Sequence, residues 1–425
     1  MKRKIIALIA AFIIQPLLCG ASWSAASETG RQIFEGGTFT LDRVDPPATP
    51  ATPLNNADGL LFPEDGSMPM AAWYTDLEQA VSPGLVSALA AEGVELRGIK
   101  FRYDWIQDIA VFSRGGAIIL QAEMPVRILK DLGLTMGVFD FDDNLTAVSE
   151  HTAESIGSTS RRMKWTFLEG GGLITGSFRD GRPYAIITPS PVEGARNLYL
   201  EKTRIAISSA DAKVLVAKDL EVDEDDLFII PAFRHIDLFI APLRGGELLL
   251  SDPSKTAGVL KQLLAGSLQD REREQLAGML ELYQNGFQPV YSGSAPPDIA
   301  GKPMGDRLFA YDKSETAMLD AVERELSGRF KIVRTAGVFK NLERYINSAE
   351  SLYIRDGINF FNGFTGSGRS GKLFQITNGA AGLTALENYW RSVLVAQGVA
   401  PERVYFPGSY SQGAGLDCRG APAGQ

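Results

Sequence analysis

Four short segments carry side chains whose types and spacing could do chemistry. In FRHIDLFIAPL (233–243), strand alternation predicts His235 and Asp237 on one face with Ile236 on the other. An imidazole beside a carboxylate can serve as an acid/base group and a cation anchor, or can be a surface His next to a solvated Asp. In YDWIQDIAVF (103–112), Asp104 and Asp108 lie either side of Trp105 and Ile106. Asp108 precedes the apolar run 109–112, at the mouth of a buried strand, where an acid is a loop cap or a buried ligand group. In WTFLEGGGLITG (165–176), Glu169 stands before three Gly, which permit close backbone approach to a ligand or form a plain turn. No Gly-Lys-Ser/Thr follows, and the next segment reads as a strand, so neither a phosphate-binding loop nor a dinucleotide fingerprint is present there. In SQGAGLDCRGAP (411–422), Cys418 sits among Gly, Asp417 and Arg419, a setting that favours an accessible thiol over a packed one.

The elements that must position these groups follow a rhythm of amphipathic helix, Gly or polar break, and short strand. The pairs are 82–93 with 94–101, 269–286 with 287–292, 315–328 with 329–334, and 383–398 with 402–408. Leu276, Met279, Leu280 and Tyr283 form one apolar stripe, and Met318, Leu319, Val322 and Leu326 another. Strand pairs stand between the helices. Residues 171–188 read as a hairpin across Arg-Asp-Gly-Arg, and 235–253 as a second turning at Arg244-Gly245-Gly246. Such alternation suggests modular repetition, or an irregular α/β domain.

The chain has 425 residues and a formal charge of −9, with 45% hydrophobic and 22% charged residues. These are the proportions of a folded globular protein. An acidic chain without a basic cluster is unsuited to nucleic acid. With two Cys and two His, no zinc site of Cys/His type and no disulfide scaffold is expected. Lys2, Arg3 and Lys4 precede an apolar run, Ile5 to Leu18, and then small residues. This is the pattern of a signal peptide over 1–26, cleaved after Ala26; the other reading is a membrane anchor, for which the run is short. Cleavage removes Cys19, leaves Cys418 as the single thiol, and leaves no integral membrane segment. Residues 27–70, including DPPATPATPLNNADG (45–59), read as an extended linker, and 71–425 as one large domain.

Taken in order, Trp-x-x-Asp, Glu-Gly-Gly, His-x-Asp and a Cys near the C-terminus resemble the guanidino-group-modifying superfamily. The similarity spans roughly residues 100–422 and is nearest to the catalytic domain of protein-arginine deiminases. INFFNGF and ITNG resemble segments upstream of that family's catalytic Cys. The resemblance implies an α/β fold, a pseudo-fivefold propeller of ββαβ units. It implies Cys418 as nucleophile, His235 as general acid/base, and Asp108 and Asp237 as clamps on the guanidinium. Glu169 would orient His235, and Asn359, with Asn362 as the alternative, would contact substrate. Many relatives carry His immediately before the Cys. Asp417 in its place changes the charge beside the thiol and opposes thiolate formation. The implied activity is hydrolysis of arginine in peptides or proteins to citrulline and ammonia, in the periplasm or outside the cell. Agmatine or free-arginine deimination, amidino transfer, and an inactive arginine-peptide-binding propeller are the alternatives. No metal or organic cofactor is implied; some animal relatives bind calcium, which the resemblance leaves open here with no ligands assigned.

Overall fold

A computed structural model of the chain describes residues 61–75, 82–99, 111–114, 118–132, 160–168, 170–232, 235–284, 304–342, 354–380, 382–407 and 420–424. In chain order these residues form β1 (Met70–Thr75), α1 (Pro83–Ala91), β2 (Leu96–Ile99), β3 (Val111–Phe112), β4 (Ile118–Leu120), α2 (Val126–Asp131) and β5 (Ser160–Arg162). Then come β6 (Leu173–Ser177), β7 (Pro183–Ile187), α3 (Ser190–Thr203), α4 (Ser209–Leu220), β8 (Leu227–Ile229), β9 (Ile240–Leu243) and β10 (Glu247–Ser251). They are followed by α5 (Pro253–Leu264), α6 (Asp270–Gln284), α7 (Met304–Leu326), β11 (Lys331–Thr335), β12 (Val338–Leu342) and β13 (Ile354–Asn359). The last are β14 (Gly363–Ser367), β15 (Leu373–Thr377), α8 (Thr384–Ala396), β16 (Val404–Tyr405) and β17 (Gly420–Gly424).

The strands sort into five three-stranded sheets of one topology. Each has an antiparallel pair followed, across one or more helices, by a third strand parallel to the second. The sets are β3-β4-β5, β6-β7-β8, β9-β10-β11, β14-β15-β16 and β17-β1-β2. A parallel strand needs a crossover, and the helices supply it. In the fifth set the antiparallel partner of β1 is the C-terminal β17, with Met70 opposite Gly424 and Tyr74 opposite Gly420. A separate two-stranded sheet, β12-β13, lies between the fourth helical crossover and β14.

Local sequence accounts for these elements. Ser208 caps α4 in a reciprocal box with Asp211, satisfying free N–H groups of the first turn. Asp252 accepts from Ser254 N (3.2 Å) at the start of α5, with Pro253 at its first position. On α8, Leu386, Trp390 and Leu394 recur every fourth residue and are all fully buried. The two stripes expected on α6 and α7 face inward as their spacing requires: Leu276, Met279, Leu319, Val322 and Leu326 are buried. The helix of the second stripe begins at Met304, earlier than its apolar spacing alone indicates.

Strand alternation splits the β6-β7 and β9-β10 pairs between cores. Leu173 and Ala185 face the core shared with α3 and α4, whereas Ile174 and Ile186 face a second core that also takes Ile240, Leu248 and Leu250. Ala241 and Leu249 turn to a third core with Phe360, Phe361 and Trp390. Successive sheets thus share cores in sequence order.

Residues 61–70, expected within the linker, belong to the fold. Leu61, Phe62, Asp65 and Met70 are buried. Phe62 N donates to Phe112 O (2.9 Å), Glu64 N to Thr175 O (3.0 Å), and Pro69 bridges Ser367. The segment therefore touches three different modules. Its Pro and Gly residues suggested a spacer, but its backbone groups are paired to strands distant in sequence, which local composition does not encode. The signal-peptide reading and the linker reading of 27–60 lie outside the described residues.

Candidate active site

The His-x-Asp segment is not a strand. Residues Ile236–Leu238 form one turn of 3₁₀ helix, and β9 begins only at Ile240. Ile236 is fully buried in the core of the second and third modules, and its burial goes with the turn. His235 and Asp237 are still neighbours, with Nδ1 of the ring 3.9 Å from Oδ1 of the carboxylate. Their proximity comes from the turn, correcting the alternation argument. The His side chain is 21% exposed and the Asp side chain 5%, so the carboxylate is buried and the imidazole reaches the surface.

Asp237 Oδ2 accepts a hydrogen bond from Nδ2 of the fully buried Asn362 (2.6 Å). Asn359, at the end of β13, donates from Nδ2 to the carbonyl of Leu238 (3.0 Å) and accepts from Phe361 N (2.9 Å). Its amide thereby fixes the backbone one residue after Asp237. Asn378 Nδ2 donates to the carbonyls of Asn359 (3.0 Å) and Asn362 (3.2 Å), and Thr377 Oγ1 to that of Phe360 (2.7 Å). The INFFNGF and ITNG segments thus form one polar knot behind Asp237. Of the two Asn considered from sequence, Asn362 touches the carboxylate and Asn359 holds the turn that carries it.

Gly171 closes the other side. A Cβ there would lie well inside contact distance of His235 Nδ1, 2.9 Å from Asp237 Oδ1 and 3.1 Å from His235 Cγ. Only Gly allows the backbone after Glu169 to approach the imidazole this closely. Asp108, Glu169 and Cys418 lie outside the described residues. Their places in the chain still bear on the site. The first strands of the five modules, β3, β6, β9, β14 and β17, begin at Val111, Leu173, Ile240, Gly363 and Gly420. Asp108, Glu169, Asp237, Asn359 and Cys418 each stand just ahead of one of those starts.

Among solved structures, the chain is similar to a candidate peptidyl-arginine deiminase at 10% identity and TM-score 0.48, covering 86% of this chain and 98% of that one. It is similar to an agmatine deiminase of Enterococcus faecalis at 12% identity and TM-score 0.45, covering 87% and 96%. It is also similar to an agmatine deiminase of C. jejuni with substrate bound, at 9% identity and TM-score 0.46, covering 86% and 96%. All three of these structures are described as deiminases. No family model matches the chain, and no curated protein matches it. Residue roles accordingly rest on this chain's own geometry.

Two groups at the site were not anticipated. A cavity of about 20 Å³ beneath Asp237, room for roughly one water, is also lined by Glu64, Ile174 and Phe361. Glu64 Oε2 accepts from Thr175 N (3.2 Å), which holds a second carboxylate beside that cavity. Its placement in an apparent linker hid it. Asn378 lies in the ITNG segment, but its part in the knot is not legible there, because its contacts are backbone carbonyls 16 and 19 residues away. Among the described residues no group of three or more His, Cys, Asp or Glu is arranged to hold a metal ion. Nor is any helix among them long and apolar enough to cross a membrane.

Proposed function

We propose that the protein is an exported guanidino hydrolase converting peptidyl- or protein-arginine to citrulline and ammonia. One observation carries the reading. The first strand of every module is preceded, within a few residues, by one of the candidate side chains, and the described pair among them is a buried carboxylate beside a partly exposed imidazole. If the five modules close into a pseudo-fivefold propeller with their first strands parallel, all five mouths open on one end. That closure is part of the proposal. The cores shared by successive sheets and the pairing of β17 with β1 support it.

In this reading the guanidinium is clamped by Asp237 and Asp108 through paired charge-assisted hydrogen bonds. Anchoring the flat cation places its central carbon against the Cys418 sulfur and lowers the entropic part of the barrier. The thiolate adds to that carbon. His235, oriented by Glu169, gives a proton to one nitrogen, the C–N bond breaks, and ammonia leaves a thiouronium on Cys418. His235 then takes a proton from water; the hydroxide adds to the same carbon, the C–S bond breaks, and the ureido product departs with the thiolate restored. The scheme consumes one water and needs no metal or organic cofactor.

The charged, apolar and small-residue pattern of the first 26 residues supports export, and export favours a peptidyl substrate over a cytosolic small molecule. Agmatine or free-arginine deimination uses the same residues and is the second reading. The test is citrulline or ureido product formed from blocked arginine peptides, free arginine and agmatine in parallel. Turnover of peptides ahead of the other two is expected. Preference for agmatine would replace the substrate assignment, and absence of product from all three would overturn the hydrolase.

A further inference from the structure

The far ends of the same first strands carry a second repeated feature. Where β3, β6, β9 and β14 turn back, the sequence reads Arg114-Gly115-Gly116, Arg179-Asp180-Gly181, Arg244-Gly245-Gly246 and Arg369-Ser370-Gly371. Four of the five modules therefore place an Arg-x-Gly at the turn, a strand's length from the mouths that hold the candidate catalytic groups. For a five-residue strand this is about 17 Å.

Each of these arginines reaches toward the next module. Arg114 Nη2 donates to Ser177 Oγ (3.0 Å) and Arg179 Nη2 pairs with Glu247 (3.0 Å). Arg244 Nη2 donates to Gly371 O (3.0 Å) and to Gly66 O, and the Arg369 stem lies over Gly93. Between the first three opens a cleft of about 570 Å³, lined also by Ser67, Met68 and Phe178. That is the size of a small-metabolite site.

The charges there do not balance. Against three guanidiniums stand Glu247 at the rim, on Arg179, and the fully buried Asp65 beneath the floor. Asp65 already accepts from Ser67 N (2.9 Å) and Ser177 N (2.8 Å), and burial pushes its carboxyl above the usual range. Asp180, in the same turn as Arg179, pairs with Arg182 instead. Within the cleft walls, Arg114 Nε is buried without a hydrogen-bond partner. Buried donors lacking partners are rare and call for an acceptor.

We propose that this cleft binds a small organic oxyanion, its carboxylate or phosphate oxygens on Arg114 and Arg244 and its apolar part against Met68 and Phe178. Arg179 adds charge at the rim. The site shares no residue with the candidate active site, so the proposal stands or falls apart from the deiminase reading.

Titration calorimetry of the full chain with citrate, glucose 6-phosphate and inorganic phosphate, at matched ionic strength, tests it. One saturable site per chain is expected, with citrate or the sugar phosphate binding more tightly than inorganic phosphate. The tighter of the two organic anions identifies carboxylate or phosphate as the recognised group. Arg114→Gln should weaken binding about tenfold. Arg179→Gln, at a side chain 78% exposed and therefore safe for folding, should weaken it a few-fold. Glu247→Gln should strengthen it by releasing Arg179. Absence of saturable binding by all three anions would overturn the proposal, as would Arg179→Gln and Glu247→Gln proteins that bind like the parent.

Discussion

Gly171→Ala is the sharpest probe of the candidate active site. The added methyl would sit 2.9 Å from Asp237 Oδ1, 3.1 Å from His235 Cγ and closer still to His235 Nδ1. Ordinary contacts of this kind are about 3.5 Å or more. Asp237 is the more deeply buried of the two and is tied to Asn362, so the imidazole, which is 21% exposed, is the group that shifts. Restoring contact distance moves the ring by roughly 1 Å, and a displacement of that size at a reacting group costs on the order of 100-fold in rate, about 2.7 kcal/mol. Overpacking should also destabilise the fold by ~1–3 kcal/mol. The assay is kcat and KM for release of the ureido product from the preferred guanidino substrate, beside urea unfolding of both proteins. A large fall in kcat with a folded protein is expected, because the methyl disturbs His235, the proposed acid/base group, more than Asp237, the proposed cation clamp. A Gly171→Ala enzyme within threefold of the parent in kcat would refute the claim that this glycine sets the position of His235.

Other perturbations read other parts of the molecule. Cys418→Ala should abolish turnover in the same assay. Asn362→Ala strips the buried Asp237 of a 2.6 Å donor and should cost ~1.5–3 kcal/mol by urea unfolding, with a raised KM for the cation. Trp390→Ala removes a fully buried ring whose Nε1 donates to Gln375 Oε1 (2.7 Å), and should lower stability by ~3–5 kcal/mol in the same measurement. Tyr405 donates to Glu92 Oε1 (2.7 Å), and burial, with Glu92 beside it, pushes its phenol up to about 12 from the ordinary 10.0. Between these values the unfolded chain releases the phenolic proton and the folded chain keeps it. Stability from this group is therefore complete below pH 10 and falls as pH rises toward 12. The Tyr405→Phe protein should lack that share of the alkaline loss, seen as a shallower fall in unfolding free energy across the same window.

Periodicity and turn chemistry alone determined much of this architecture. The helices over 83–91, 270–284 and 384–396, and the hairpins of β6-β7 and β9-β10, follow from apolar spacing and from Arg-Asp-Gly-Arg and Arg-Gly-Gly turns. These signals act over a few residues, so they survive without knowledge of the rest of the chain. The adjacency of His235 and Asp237 was legible too, though for the wrong reason: two residues apart are near neighbours in a strand and in a 3₁₀ turn alike. The sequence could not show that Ile236 would be claimed by a core built from β6, β7 and α7, which replaces the strand by a turn. Nor could it choose between Asn359 and Asn362, since that choice depends on which amide meets a carboxylate more than a hundred residues away. Residues 61–69 look like a spacer by composition and become part of the fold only because β3, β6 and β14 offer unpaired backbone along their length. Local preferences are written in neighbouring residues. Partners brought together by sheet pairing and shared cores are decided only when the whole chain has packed.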